Sequence, residues 1–132
     1  MDKTELEEGS GLSIDFEKRG GLVPAIVQEK SSGQVLMIAY VNRAALDETI
    51  RSGMAVFWST SRNELWKKGE TSGDYLKIAD ILVDCDQDAI LYIVEPKGAG
   101  ACHTKDSKTG AARKSCFYRK IDINTGKLKI SE

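Results

Sequence analysis

The sequence has no long hydrophobic run and no large excess of charge of either sign. No apolar stretch approaches the roughly 20 residues that a membrane-spanning helix needs. The acidic beginning, Met1 to Glu8, lacks the basic and apolar regions of a signal peptide. The formal net charge of -1 gives no overall attraction to nucleic acid or to a membrane surface. We therefore expect a cytoplasmic protein that binds neither, and whose partners are recognised at local sites.

Cysteine and histidine are also scarce, with three cysteines and a single histidine in 132 residues. Three cysteines cannot all pair with one another, and a reducing cytosol would keep Cys85, Cys102 and Cys116 as thiols. Free thiols can bind a metal, take part in catalysis, or serve only as small buried apolar side chains. The sequence leaves these alternatives open.

The order of apolar and polar segments predicts one domain at residues 21–132, preceded by a loose polar arm at residues 1–20. Asn42 is typical of a helix N-cap and Gly53 of the residue after a helix, so residues 43–52 are predicted to be helical. Pro24 predicts that the first strand lies at a sheet edge or contains a bulge. Strands are predicted at residues 22–28, 34–41, 54–59, 75–83, 89–94, 116–123 and 127–130.

These elements follow one another mostly through hairpin-length connections. The predicted fold class is therefore α+β, with an antiparallel or mixed sheet and one or two short helices. The polar segment at residues 60–74 is too long for a simple turn, which favours a functional loop.

The pentapeptide Asp84-Cys85-Asp86-Gln87-Asp88 combines three carboxylates with a thiol. In an extended chain the three aspartates would share one face and Cys85 the other. Carboxylates suit Mg²⁺, whereas a thiolate suits Zn²⁺. Fully extended, the segment would span about 13 Å, so joint binding of one ion requires a bend. The alternative is a polar turn between two strands.

The three cysteines could together hold Zn²⁺ and leave its fourth tetrahedral position open, as in catalytic zinc sites. His103 directly follows Cys102, and adjacent residues in extended chain face opposite ways. His103 is therefore better suited to be a general acid or base than to bind the same ion, although a surface histidine with no such role is the alternative.

Residues 57–73 interleave aromatic, hydroxyl, cationic and glycine residues, a mixture that can stack on a base and bind phosphate. The alternative is a solvated loop with two tryptophans in the core. Lys114 is a further candidate for phosphate binding. The candidate substrate-binding residues are Trp58, Ser59, Arg62, Trp66, Lys67, Lys68, Thr71, Ser72 and Arg119.

Several of these segments occur together, in order, in one enzyme family. The segments are Gly21-Leu22-Val23-Pro24-Ala25, Val35-Leu36-Met37-Ile38-Ala39-Tyr40, Phe57-Trp58-Ser59, Leu65-Trp66-Lys67-Lys68-Gly69-Glu70-Thr71-Ser72-Gly73, the acidic pentapeptide, Ala101-Cys102-His103-Thr104 and Ser115-Cys116-Phe117-Tyr118-Arg119. On these residues the chain resembles phosphoribosyl-AMP cyclohydrolase of histidine biosynthesis.

The resemblance implies a cytoplasmic homodimer that hydrolyses the N1–C6 bond of the purine ring of phosphoribosyl-AMP, with one Zn²⁺ and one Mg²⁺ per subunit. It implies Mg²⁺ on Asp84, Asp86 and Asp88. It also implies a zinc site shared between subunits, in which Cys85 comes from one chain and Cys102 with Cys116 from the other.

Two departures from the family pattern are visible. Lys105 follows Cys-His-Thr where the family usually has glycine, and the link from Cys102 to Cys116 is longer than usual. Asp74 stands where the family commonly has histidine. Two other functions remain as hypotheses: a non-catalytic nucleotide-binding dimer stapled by zinc, and a thiol redox sensor.

Overall fold

The computed structural model describes residues 2–131. Within them are two α-helices, α1 (Lys3–Glu8) and α2 (Arg43–Ser52), and a short 3-10 helix at Glu17–Arg19. No helix in this part of the chain is long and apolar enough to cross a membrane. The strands are β1 (Val23–Glu29), β2 (Val35–Val41), β3 (Val56–Ser59), β4 (Glu64–Lys67), β5 (Leu76–Val83), β6 (Ile90–Pro96), β7 (Arg119–Ile121) and β8 (Leu128–Ile130).

The main sheet has the strand order β2-β1-β6-β5. β1 runs antiparallel to β2 and parallel to β6, and β5 runs antiparallel to β6. β3 pairs with β4, and β7 with β8, in two separate hairpins. The predicted α+β class with a mixed sheet is confirmed.

β1 is a central strand, so the edge alternative predicted from Pro24 is wrong, whereas the bulge alternative agrees with a register shift between Val27 and Gln28 in the pairing with β2. Pairing with β6 begins only at Ala25, next to Ile90. Pro24 therefore precedes the ladder on that side, where its missing N–H costs no hydrogen bond.

The helix α2 has the predicted bounds because its two ends are defined locally. The Asn42 side chain accepts a hydrogen bond from the amide of Ala45 (2.9 Å), and Gly53 is left-handed with φ 73°. In the middle of α2, the buried Thr49 hydroxyl accepts from the amide of Val56 (3.0 Å) and from the hydroxyl of Tyr92 (3.2 Å). These bonds tie α2 to β3 and β6, and burial raises the pKa of Tyr92 to about 12.

The segment at residues 60–74 was expected to be a loop, but it contains β4. The register pairs Phe57 with Trp66 and Trp58 with Leu65. Only two apolar residues lie within β4, too few for a strand pattern, so the strand exists because β3 offers it a partner. Asn63, with φ 56°, closes the turn between the two strands.

The N-terminal segment is not a loose arm throughout. Ile14 and Phe16 are 4% and 6% exposed and belong to the hydrophobic core. The guanidinium of Arg43 lies 5.1 Å from the ring centre of Phe16. Two separate apolar residues in a polar segment form no periodic pattern, so this burial could not be predicted from the sequence.

The burial of Phe16 predicts a large loss of stability when it is truncated. Phe16→Ala should lower the free energy of unfolding by about 3 kcal/mol, because it removes a buried ring and leaves a cavity. Leu12→Ala is the matched control: Leu12 is 55% exposed, so its loss should be about 0.5 kcal/mol or less. Urea unfolding followed by circular dichroism measures both. Equal effects would show that the segment is not part of the core.

Candidate active site

The acidic pentapeptide forms the turn between β5 and β6. Each of Asp84, Asp86 and Asp88 offers a carboxylate oxygen, and these oxygens all lie within 4.8 Å of one another. Gln87 has a left-handed backbone with φ 55°, and its backbone amide donates a hydrogen bond to the carbonyl of Asp84 (3.1 Å). The chain therefore bends within the pentapeptide, as joint binding of one ion requires.

Asp84 organises this turn from within. Its Oδ1 accepts hydrogen bonds from the amides of Asp88 (2.8 Å) and Ala89 (3.0 Å). Burial acts to raise the pKa of Asp84, but hydrogen bonds from the Asp88 side chain, from these two amides and from the Asp86 side chain outweigh it and hold the pKa below its usual value. Asp84 is thus ionised at neutral pH.

The donor set of this cluster fits a hard divalent cation. Mg²⁺ binds oxygen ligands at 2.0–2.1 Å, so ligands on opposite sides of the ion stand roughly 4.2 Å apart. Adjacent ligands of the same octahedron stand about 3 Å apart, so the three carboxylate oxygens, which lie within 4.8 Å of one another, would need to approach by about 1–2 Å to share one ion. These residues could therefore hold Mg²⁺ together with water or a substrate oxygen.

A second group forms where the long loop after β6 returns to the main sheet. The thiols of Cys102 and Cys116 lie near each other, and each shifts the pKa of the other. The Cys102 sulfur also lies 2.9 Å from the hydroxyl of Thr104 and accepts from its amide (3.4 Å). The chain thus brings together two of the three cysteines.

The two thiols differ in their acidity. Burial acts to raise the pKa of Cys102, but the bonds from Thr104, the Cys116 thiol and the charge of Arg113 lower it more, so that the pKa lies below its ordinary value. Desolvation, followed by the charge and hydrogen bond of Cys102, raises the pKa of Cys116 to about 11, against a smaller lowering by Lys68. The pair is thus more stable with one thiol protonated than with both thiols ionised, as is usual for adjacent thiols before a metal binds.

Backbone contacts hold Cys116 at the edge of β2. Its amide donates to the carbonyl of Leu36 (2.7 Å), and the neighbouring Ser115 hydroxyl donates to the carbonyl of Val35 (2.8 Å). Cys102 is held by a hydrogen bond that its backbone amide donates to the carbonyl of Arg113 (3.1 Å). Both sulfurs are therefore attached to ordered backbone, which suits metal ligands.

Cys85 does not join this pair within one chain. It is exposed, in the turn between β5 and β6. Among residues 2–131, no group of three potential metal ligands within 4.8 Å of one another includes a cysteine. Within residues 2–131 the chain thus brings two thiols together and leaves the third apart from them.

His103 is exposed beside the buried Cys102. Its side chain is accessible to solvent, and a general acid or base must be accessible to its substrate. Lys68, in contrast, is buried at 7% exposure and acts electrostatically on Cys116. Of the candidate substrate-binding residues, Lys68 is thus linked to the thiol pair through its charge.

The remaining candidates occupy several positions around the β3–β4 hairpin and beyond. The Trp66 ring packs 5.5 Å from that of Phe57 against the core, so Trp66 fits the alternative of a core tryptophan. Trp58 lines a cavity of about 390 Å³ with residues that include Gly21 and Asn63. Lys67 is half-buried in β4, Ser59 is half-buried at the end of β3, and Arg62, Thr71, Ser72 and Arg119 are exposed.

The loop between the two neighbouring cysteines is itself ordered. Lys105 bridges to Ala112, the Arg113 amide donates to the carbonyl of Thr104 (3.0 Å), and the Asp106 amide donates to that of Ala111 (2.9 Å). The lysine-rich insertion that departs from the family pattern is thus a short hairpin. Its base brings Cys102 toward Cys116.

Asp74, the other departure, supports the same loop. Its Oδ1 accepts from the amide of Ala99 at 2.8 Å. A Cβ on Gly98 would collide with the Asp74 carboxylate, so this close approach requires glycine there. Sequence reasoning left the role of Asp74 open, and the structure gives it contacts that fix the segment before Cys102.

The known proteins to which this chain is similar agree with one another. The family model described as phosphoribosyl-AMP cyclohydrolase matches residues 37–118. A phosphoribosyl-AMP cyclohydrolase of Desulforapulum autotrophicum is 49% identical over 83% of this chain and 82% of the relative. Those of Cenarchaeum symbiosum and Methanothrix thermoacetophila are 49% and 52% identical over 82% and 78% of this chain, covering 93% and 78% of their own lengths. The resemblance stated from the sequence is thereby confirmed, and the chain belongs to the phosphoribosyl-AMP cyclohydrolase family.

Proposed function

We propose that this protein hydrolyses the N1–C6 bond of the purine ring of phosphoribosyl-AMP, the ring-opening step of histidine biosynthesis, and does so in the cytoplasm. Membership of the family supports the reaction. The observation that supports the site most directly is the pairing of Cys102 with Cys116 beside the exposed His103.

The zinc ligands are Cys102 and Cys116 of one subunit and Cys85 of the other, in a homodimer. Cys85 lies apart from the thiol pair in the single chain, and a third thiolate supplied across an interface removes the need for all three to meet within one subunit. Bound in this way, zinc would supply an activated water at neutral pH and keep one position open for it.

The chain's own residues then carry out proton transfer and positioning. His103 accepts a proton from the water that adds to C6, and it returns a proton to N1 as the N1–C6 bond breaks. The electron pair of that bond goes to N1, and the oxygen of the water remains on C6 as the carboxamide oxygen. Because N1 carries a ribosyl group, the ring is cationic and amidinium-like, which makes C6 more electrophilic.

Magnesium on Asp84, Asp86 and Asp88 would neutralise substrate phosphate next to a carboxylate cluster that would otherwise repel it. The phosphates require cations, and Lys68 is the best supported because it lies near the thiol pair. Arg62, Lys67, Lys114 and Arg119 remain candidates, as do Trp58, Ser59, Thr71 and Ser72, with Trp66 now better explained by packing.

The reaction itself can be tested on the purified protein. Phosphoribosyl-AMP should be consumed, with the absorbance change of ring opening, when Zn²⁺ and Mg²⁺ are present. Chelation should abolish turnover while circular dichroism shows that the protein stays folded, and adding Zn²⁺ back should restore turnover. If the holoprotein binds nucleotide without hydrolysing it and unfolds on chelation, the zinc serves only to stabilise a binding module.

A further inference from the structure

The side chain of Gln87 connects the N-terminal segment to the acidic turn through hydrogen bonds. Its side chain is buried at 5% exposure, whereas the adjacent Asp86 is exposed. Gln87 Oε1 accepts from the amide of Ser13 (2.6 Å), and Nε2 donates to the carbonyls of Leu6 and Gly11 (both 3.1 Å). One side chain thus joins residues 6–13 to the turn between β5 and β6.

The backbone of Gln87 explains why these bonds bear on the carboxylates. A left-handed φ of 55° is uncommon for a residue with a Cβ, so surrounding contacts must hold it. This conformation turns the chain between Asp86 and Asp88. The turn is held from within by the bonds to Asp84 and from outside by the three bonds of the Gln87 side chain. Without them the turn can relax, and three like charges would move apart.

The fastened segment also forms one wall of a cavity beside the carboxylates. The cavity, of about 290 Å³, is lined by Ser13, Asp15 and Lys18 from the segment and by Asp86 and Asp88 from the turn, with Leu6 and Gln87 completing it. A cation held by Asp86 and Asp88 on this side would therefore face residues of the N-terminal segment.

We propose that Gln87 is a positioning residue for the magnesium site: by binding residues 6–13 it holds the acidic turn in the shape that lets Asp84, Asp86 and Asp88 share one cation. This inference rests on the proposed function, since it takes Mg²⁺ as the ion bound there. On this inference the N-terminal segment contributes to cation binding through its hydrogen bonds to Gln87. Because coupling between two sites is reciprocal, Mg²⁺ binding should in turn stabilise the segment.

The first test measures Mg²⁺ affinity of the full-length, zinc-loaded protein by calorimetric titration. Gln87→Met keeps the length of the side chain but removes all three hydrogen bonds, and it should weaken Mg²⁺ binding about tenfold or more, as expected for residues that orient metal ligands. Zinc content should not change. Gln28→Met is the matched control, since Gln28 Nε2 also donates to a backbone carbonyl, that of Gly33 (2.9 Å), but within the β1–β2 hairpin. Its Mg²⁺ affinity should stay within about twofold of wild type.

A second variant separates the backbone from the side chain. Gln87→Gly accepts the left-handed conformation readily but cannot make the three bonds. It should lose Mg²⁺ affinity as Gln87→Met does, and it also serves if Gln87→Met fails to fold. Wild-type affinity in either folded variant would overturn the proposal.

Hydrogen exchange tests the reciprocal effect. In the wild type, Mg²⁺ should slow exchange of the amides in residues 6–13, and this protection should be absent in Gln87→Met. Unchanged exchange in the wild type despite Mg²⁺ binding would refute the coupling. If the wild type binds no Mg²⁺ at all, the inference and the magnesium assignment both fail, whereas the ring-opening assay would still report separately on the reaction.

Discussion

Purified mixed dimers of Cys85→Ala and Cys102→Ala subunits should recover about half of wild-type activity, although each variant alone is inactive. Each single variant lacks one ligand in both of the proposed zinc sites, so it should lose its zinc. Its kcat should fall about 10³-fold, because zinc would stabilise the transition state by several kcal/mol and about 1.4 kcal/mol corresponds to a tenfold change in rate. In a mixed dimer, Cys85 of the second subunit meets the intact Cys102 and Cys116 of the first. One complete site of two forms in each mixed dimer, so a sample purified through both tags should reach about half of wild-type activity.

Co-expression of two differently tagged chains, followed by tandem purification and metal analysis, makes this measurement. The matched control is a mixture of Cys102→Ala with Cys116→Ala, whose changes fall in the same half of the site and should leave no complete set. Failure of the first mixture to recover activity, with mixed dimers shown to be present, would mean that all three thiols come from one chain. Recovery in the control mixture would mean that the pairing of Cys102 with Cys116 is not the basis of the site.

His103→Ala should keep its zinc and lose about 10² to 10⁴ in kcat. The range is that expected for removal of a general acid or base from an otherwise intact site. Zinc should stay because His103 is exposed beside Cys102, whereas the metal-binding thiols are held by Thr104 and by backbone bonds. Steady-state kinetics with metal analysis on the same samples separates these two effects.

The control for His103 is Lys105→Ala, which changes an exposed side chain on the same loop, two residues further along the chain. It should leave zinc content unaltered and reduce kcat much less than His103→Ala. Unchanged turnover in His103→Ala would remove the histidine from the mechanism. Loss of zinc would instead make it a ligand or a structural support for one.

Much of the fold could be predicted because its signals are local. Asn42 and Gly53 delimit α2 through contacts made within a few residues, so the helix has the bounds expected of it. The β5–β6 hairpin was predictable for the same reason: two apolar segments flank a turn rich in aspartate. That bend also brings the three carboxylates together, so the candidate cation site follows from the sequence.

The errors arose where a residue's environment is set by distant parts of the chain. Pro24 suggested an edge strand, but β6, which is far away in sequence, pairs with the rest of β1. β4 has too few apolar residues to indicate a strand and depends on pairing with β3. Phe16 lies in a polar segment and is buried only because the core and the side chain of Arg43 pack against its ring.

The family, the helix α2 and the convergence of the aspartates could be predicted from the sequence, because each depends on residues close together in the chain or on several segments taken together. The proximity of Cys102 to Cys116, the separate position of Cys85 and the hydrogen bonds of Gln87 to residues 6–13 are visible only in the folded structure. These contacts join residues far apart along the chain. Their geometry is fixed by how β2, β6 and the long loop pack, and no local pattern of residues encodes it.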